Sequence, residues 1–223
     1  EYGVTVYKMG FCTKNPANPT LSSVLVGSAP DYSTCSWTYE NSTGEAASFS
    51  AGGSLDLSES NASDPATGTY PYAVMLISKD FNIKGKFGPV GGKTYYSTTT
   101  FKTSSTDSGD YATQVAPLNT FGGDEECVAY TEGEVVTDGT ISAYLVNSSG
   151  TLLDSDSSIS ECSGQEKLLG VMKMSSDLTI SDATAGLKMT FTVTNNGMSV
   201  VTNRAGTDIY VDSGPFSVKF DTF

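Results

Sequence analysis

Carboxylates are the reactive groups this chain supplies in number. Asp124-Glu125-Glu126 and the Asp154/Asp156 pair are the two places where acids cluster closely enough to suggest a converging pair. Two carboxylates facing each other across a cleft is the arrangement that glycoside hydrolysis requires. The chain contains no His, which removes the usual general base and the triad member that activates a serine. Ser and Thr together number 59, yet no Gly-x-Ser-x-Gly elbow occurs among them. Solvated surface is the plainer reading of the acids, so no catalytic residue is assigned and an enzyme is not expected.

Other pairings point to binding. Asp154-Ser-Asp-Ser-Ser158 offers oxygen ligands at alternate positions, as does Asp107-Ser-Gly-Asp110. Neither completes a calcium loop: the first lacks Gly at the sixth position and has Gln165 in place of the twelfth-position Glu. Solvated loop is the plainer reading and no cofactor is expected; a structural calcium ion is the one such an acidic chain could hold. Asn41-Ser-Thr, Asn61-Ala-Ser and Asn147-Ser-Ser match the glycan acceptor pattern and mark exposed loops. Tyr70/Tyr72 and Tyr95/Tyr96 could stack on sugar rings, although aromatics at strand spacing more commonly form core or cross-strand pairs. Lys8, the one charge within the first apolar run, needs a partner if buried. An isopeptide to Asp221 in the last strand is one such partner.

The elements that would carry these residues are strands. Hydroxyl-rich composition with little Leu, Arg or Gln favours sheet with wet faces. No run of 18 apolar residues occurs, so no membrane span is expected. With 12 basic against 25 acidic residues the net charge is −13, and nucleic acid and anionic membranes are poor partners. Cys12, Cys35, Cys127 and Cys162 show no CxxC spacing, and with no His in the chain a zinc site is not expected. A chain opening on Glu1 instead of Met fits one from which a secretory signal has been removed, and secretion to the cell surface is the expected location. Four cysteines admit three connectivities. In an oxidising compartment two local bridges, Cys12–Cys35 and Cys127–Cys162, are the natural pairing.

Along the chain, Thr13 to Pro19 is turn-rich and Leu21 to Val26 is a short apolar segment. Cys35 to Tyr39 alternates, Asn41-Ser-Thr-Gly44 reads as a turn, and Ala46 to Leu57 follows. Thr69 to Ser78 is the most hydrophobic run and reads as a central strand. Strands are expected over 81–87 and 93–102, with a polar link at 104–110 that is the best candidate for any domain boundary. Ile141 to Val146 and Thr151 to Leu153 flank Asn147-Ser-Ser-Gly150, and Leu168 to Met174 forms a further strand. Lys188 to Thr194 meets Met198 to Thr202 across Asn195-Asn-Gly197, the strongest short hairpin signal. Asp208 to Val211 and Phe216 to Phe220 flank a last turn. About a dozen strands without an amphipathic helix predict an all-β antiparallel sandwich, jelly-roll or immunoglobulin-like and stapled by disulfides.

The first strand organises the expectation about function. Residues 1–11 carry Tyr2, Val4 and Val6 on one face and Thr5, Tyr7, Met9 and Phe11 on the other. Both faces are thus largely apolar, as in a strand covered on both sides. It is either the first strand of its own sandwich, 12–223 being the rest, or a strand donated to a neighbour. This free N-terminal strand, the hydroxyl-rich strands and the alternating end Phe216-Ser-Val-Lys-Phe-Asp-Thr-Phe223 resemble secreted self-assembling β-sandwich subunits, the biofilm-matrix fibre proteins and donor-strand pilins. That resemblance implies a homopolymer built by β-strand addition, with Val4, Val6, Tyr7, Met9 and Phe11 at the junction. The alternative is a monomeric cell-surface adhesin or carbohydrate-binding module that takes a surface glycan or host ligand.

Overall fold

A computed structural model describes all residues except 50–58, 91, 101–111, 123–125, 193–197, 203–208, 214–216 and 223. The described residues form an all-β chain: β1 (Tyr2–Cys12), β2 (Cys35–Phe49), β3 (Gly68–Ser78), β4 (Asp80–Ile83), β5 (Lys86–Val90), β6 (Lys93–Tyr96), β7 (Gln114–Pro117), β8 (Tyr130–Val136), β9 (Gly139–Asn147), β10 (Gln165–Ile180), β11 (Leu187–Thr192), β12 (Met198–Thr202), β13 (Ile209–Ser213) and β14 (Ser217–Thr222). All pairings are antiparallel, and the main sheet runs β7-β4-β1-β3-β10-β9-β8 with β2 also on β1. No helix among the described residues is long and apolar enough to cross a membrane.

The first strand lies in the interior of the sheet. Along one edge β1 pairs with β2 from Tyr2↔Phe49 to Cys12↔Cys35. Along the other it pairs with β3 over Val6 to Cys12 and with β4 at Tyr2 and Gly3. A register shift between Val6 and Lys8 leaves Tyr7 as an extra residue opposite β3. One inserted residue reverses the alternation that follows it. Val6 therefore lies across from Ile77, and Met9 and Phe11 lie across from Met75 and Ala73, three positions of like parity on β3. This corrects the two-faced reading: Tyr2, Val4, Val6, Met9 and Phe11 share one face, and Tyr7 does not alternate with them.

That face is the concave interior of a curled sheet. Tyr2, Val4 and Val6 pack with Tyr39 and Ala47 of β2, Met75 and Ile77 of β3, Phe81 and Ile83 of β4, Ala116 of β7 and Leu145 of β9. Cys127, Ala129 and Cys162 from the second disulfide loop fill the same core. At one end Phe11, Tyr70, Ala73, Met172 and Leu178 continue it. On the opposite face Tyr72, Val74, Tyr144, Leu169 and Val171 are covered by Ala17, Val24 and Leu25 from the segment between β1 and β2. Continuous burial of 72–75 follows from cover on both faces, as the unbroken apolar run predicts.

Both expected disulfides form. Cys12–Cys35 joins directly paired residues of β1 and β2, and Cys127–Cys162 closes the loop that enters the core. Three expectations about local structure are corrected. The region 81–87 divides into β4 and β5, and the strand expected over 93–102 ends at Tyr96. Asn41-Ser-Thr-Gly44 is not a terminating turn: β2 continues through it, because these residues loop out between the pairs Lys8↔Glu40 and Val6↔Glu45. The two C-terminal hairpins are also re-paired, with β11 on β14 and β12 on β13. The link at 104–110 lies outside the described residues.

Candidate assembly site

The strand expected at a subunit junction is held by its own chain. Val4, Val6 and Phe11 are 2%, 3% and 2% exposed, whereas Tyr7 and Met9 are half-buried. Each of the five meets residues of this chain, so donation to a neighbour would require β1 to leave pairings on both edges. The groove left behind would be floored by Tyr39, Ala47, Met75, Ile77, Phe81 and Ile83. At one end of this groove Gly10 is pressed against β2: a Cβ there would stand 2.8 Å from the Trp37 ring and closer still to the Ser36 carbonyl. At the other, burial pushes the Tyr2 phenol well above its ordinary value, and its ring leans on Phe81 at 5.6 Å.

Polar side chains mark the outer face. Lys8 Nζ donates to Glu40 Oε1 at 2.7 Å and stands 5.0 Å from the centre of the Trp37 ring. Its side chain is about one-third exposed, so Lys8 is an ion-paired surface residue, and Asp221 pairs with Lys219 at 2.8 Å. The Lys8–Asp221 isopeptide is thereby replaced by two separate ion pairs. Lys167 Nζ caps the Tyr7 ring at 4.3 Å. Within the groove wall, Tyr39 donates its hydroxyl to Glu45 Oε2 at 2.7 Å, which satisfies a carboxylate that faces Val6 across the ladder.

The other sequence candidates separate. Tyr70 and Tyr72 are buried in the core, which removes them as a sugar-stacking surface; Tyr95 and Tyr96 are half-buried in β6. Asn41 lies where β2 loops outward and Asn147 ends β9, and Asn61 ends a short 3-10 turn over Glu59–Asn61. Asn147 Oδ1 accepts the backbone N–H groups of Ser149 and Thr151 and so shapes its turn. Asp154 and Asp156 line a surface cavity of about 320 Å³ together with Leu153, Ile159, Ser155, Ser163 and the Cys127–Cys162 bridge. The hydroxyl and backbone N–H of Ser158 donate to Asp156 and hold its carboxyl below the usual range. No group of three or more His, Cys, Asp or Glu arranged for a metal occurs among the described residues. Asp107, Asp110, Asp124 and Glu125 lie outside them.

One buried network escaped sequence reading. Asn15 Nδ2 donates to the Tyr144 hydroxyl at 3.3 Å, and that hydroxyl donates to Glu132 Oε1 at 2.7 Å. Asn15 Oδ1 in turn accepts the backbone N–H groups of Ala17 and Asn18. The network locks the β1–β2 connection onto β9, and an Asn-Pro dipeptide read as turn chemistry was the only local hint of it. No family model, curated protein or solved structure matches the chain.

Proposed function

We propose that this chain is a structural subunit of an extracellular, fimbria-like filament whose neighbours exchange residues 1–11. The supporting observation is the place of β1, an interior strand bordered on both edges, which gives Tyr2, Val4, Val6, Met9 and Phe11 to a single core face. Two ends of the sheet are poor templates for edge-to-edge addition, while β2 pairs, among the described strands, with β1 alone. The end strand β7 is four residues long and closes on Pro117, and the end strand β8 is bulged and carries Glu132 and Glu134. Charge, bulges, proline and short length are the features that blunt sheet edges. The Cys12–Cys35 bridge fixes the root of β1 in the body, so the exchanged segment ends at Phe11. Two disulfides suit an oxidising compartment.

Removal of 1–11 tests the reading. Each large side chain seated in the groove contributes roughly 1.5–3 kcal/mol, so the truncated chain should form no polymer and should bind a synthetic 1–11 peptide. Polymers that persist after truncation, or a truncated chain that unfolds without rescue by the peptide, would count against exchange.

A further inference from the structure

We propose that Lys79 and Asn119 form a self-modification site, in which the Lys79 amine displaces ammonia from the Asn119 carboxamide and leaves an isopeptide bond. The side chains involved play no part in the filament reading, so either proposal can fail without the other.

The backbone brings the two residues to one corner. Lys79 is the single residue between β3 and β4, and Asn119 is the second residue after β7. The β4–β7 ladder pairs Asp80 with Pro117, and the Leu118 N–H donates to the Lys79 carbonyl at 2.9 Å. The Cys162 N–H donates to the Asn119 carbonyl at 3.1 Å, which lays the second disulfide loop against the same corner. Leu118 and Phe121, on either side of Asn119, pack on the core. The Lys79 side chain is only 18% exposed.

Three side chains then converge on the Asn119 carboxamide. Lys79 Nζ stands 3.2 Å from Oδ1, within a small shift of the carbonyl carbon that this oxygen is bonded to. Holding a nucleophile that close replaces an encounter from solution. Gln165 Nε2 donates to the same oxygen at 3.1 Å, where negative charge gathers during attack and a fixed donor stabilises it. On the far side Asn119 Nδ2 donates to Glu161 Oε2 at 3.3 Å, so a carboxylate waits at the leaving nitrogen. Glu161 is exposed, which gives ammonia a way out. Asp80 Oδ1 lies 3.0 Å from Lys79 Nζ and is the acceptor for the proton that the ammonium must lose.

The step balances without a co-reactant. Lys79 passes one proton to Asp80, and the freed lone pair forms the Nζ–Cγ bond while the C=O electron pair moves onto Oδ1. Glu161 takes a proton from Nζ and delivers it to Nδ2. The oxyanion collapses, the Cγ–Nδ2 bond breaks, and ammonia leaves as ammonium with the proton held by Asp80. The chain loses one positive charge. β4 meets β1 at only two positions, and the new bond clamps the root of the β4–β7 arm, where β4 begins and β7 ends.

The test is the mass of the full chain, reduced and denatured after the folded protein has been incubated until its mass is constant. The mass should lie about 17 Da below that of the sequence, and proteolysis should yield one branched peptide that contains both residue 79 and residue 119. Ring closure at another Asn also sheds ammonia, so the branched peptide decides. A chain held in denaturant should keep its full mass, since only the fold joins the two residues. Lys79→Arg, whose guanidinium stays protonated, and Asn119→Ala should each abolish the branched peptide, and Glu161→Gln should slow its formation by roughly 100-fold. A folded chain of full sequence mass, or a mass loss that persists in Lys79→Arg with no branched peptide, overturns the proposal.

Discussion

Three tyrosines show how single residues tie this fold to its solvent. Burial raises the phenols of Tyr2 and Tyr144 well above their ordinary value, and it pushes Tyr32 up to about 12. For Tyr144 the carboxylate of Glu132, which accepts its hydroxyl, adds to the effect. An unfolded tyrosine titrates near about 10. Above that pH the unfolded chain releases phenolic protons that the folded chain keeps, so the unfolded state gains. The stability these side chains contribute is complete below about pH 10 and declines as the pH rises through about 12. Denaturant midpoints measured from pH 9 upward should fall, and Tyr32→Phe should make that fall shallower. A slope unchanged by the substitution would mean that Tyr32 ionises as freely in the folded chain as in the unfolded one.

At the scale of elements, Gly10 tests how closely β1 and β2 are joined. A Cβ at this position would overlap the Ser36 carbonyl and the Trp37 ring, and backbone atoms cannot rotate away as a side-chain end can. Gly10→Ala should therefore destabilise by about 1–3 kcal/mol, the usual cost of overpacking, read as a lower midpoint at constant slope in denaturant; an unchanged midpoint would show the ladder yielding freely. The strands themselves were legible in the sequence because alternation is local: the 69–78 run is β3, and both disulfides link the cysteines nearest in sequence. What was hidden is non-local or a single-residue irregularity. Tyr7 gives no sign that it is inserted, yet that insertion moves Met9 and Phe11 onto the face of Val6. Asn195-Asn-Gly197 and Asp212-Ser-Gly-Pro215 both read as hairpin turns, but the ladders join β11 to β14 and β12 to β13. Turn chemistry was outweighed by a nested pairing, β12 with the next strand β13 and β11 with the more distant β14. Asn41 to Gly44 carries equally good turn residues and forms an outward loop inside β2 instead. Of the candidate site, the apolar residues of β1 could be read, but not the groove that holds them.

For the whole molecule, the central claim is that β1 can serve a neighbour as it serves its own chain. The curled sheet, with β1 between β2 and the β3–β4 side, provides one groove for one strand. The register gives a direct measurement, since Val4 pairs with Ala47. Chains carrying Val4→Cys are mixed with chains carrying Ala47→Cys, assembled, oxidised and run without reductant. Strand exchange predicts a covalent species of twice the 23.3 kDa chain, formed only from the mixture. A single chain bearing both cysteines that cross-links wholly within itself, together with a mixture that yields no dimer, would contradict it.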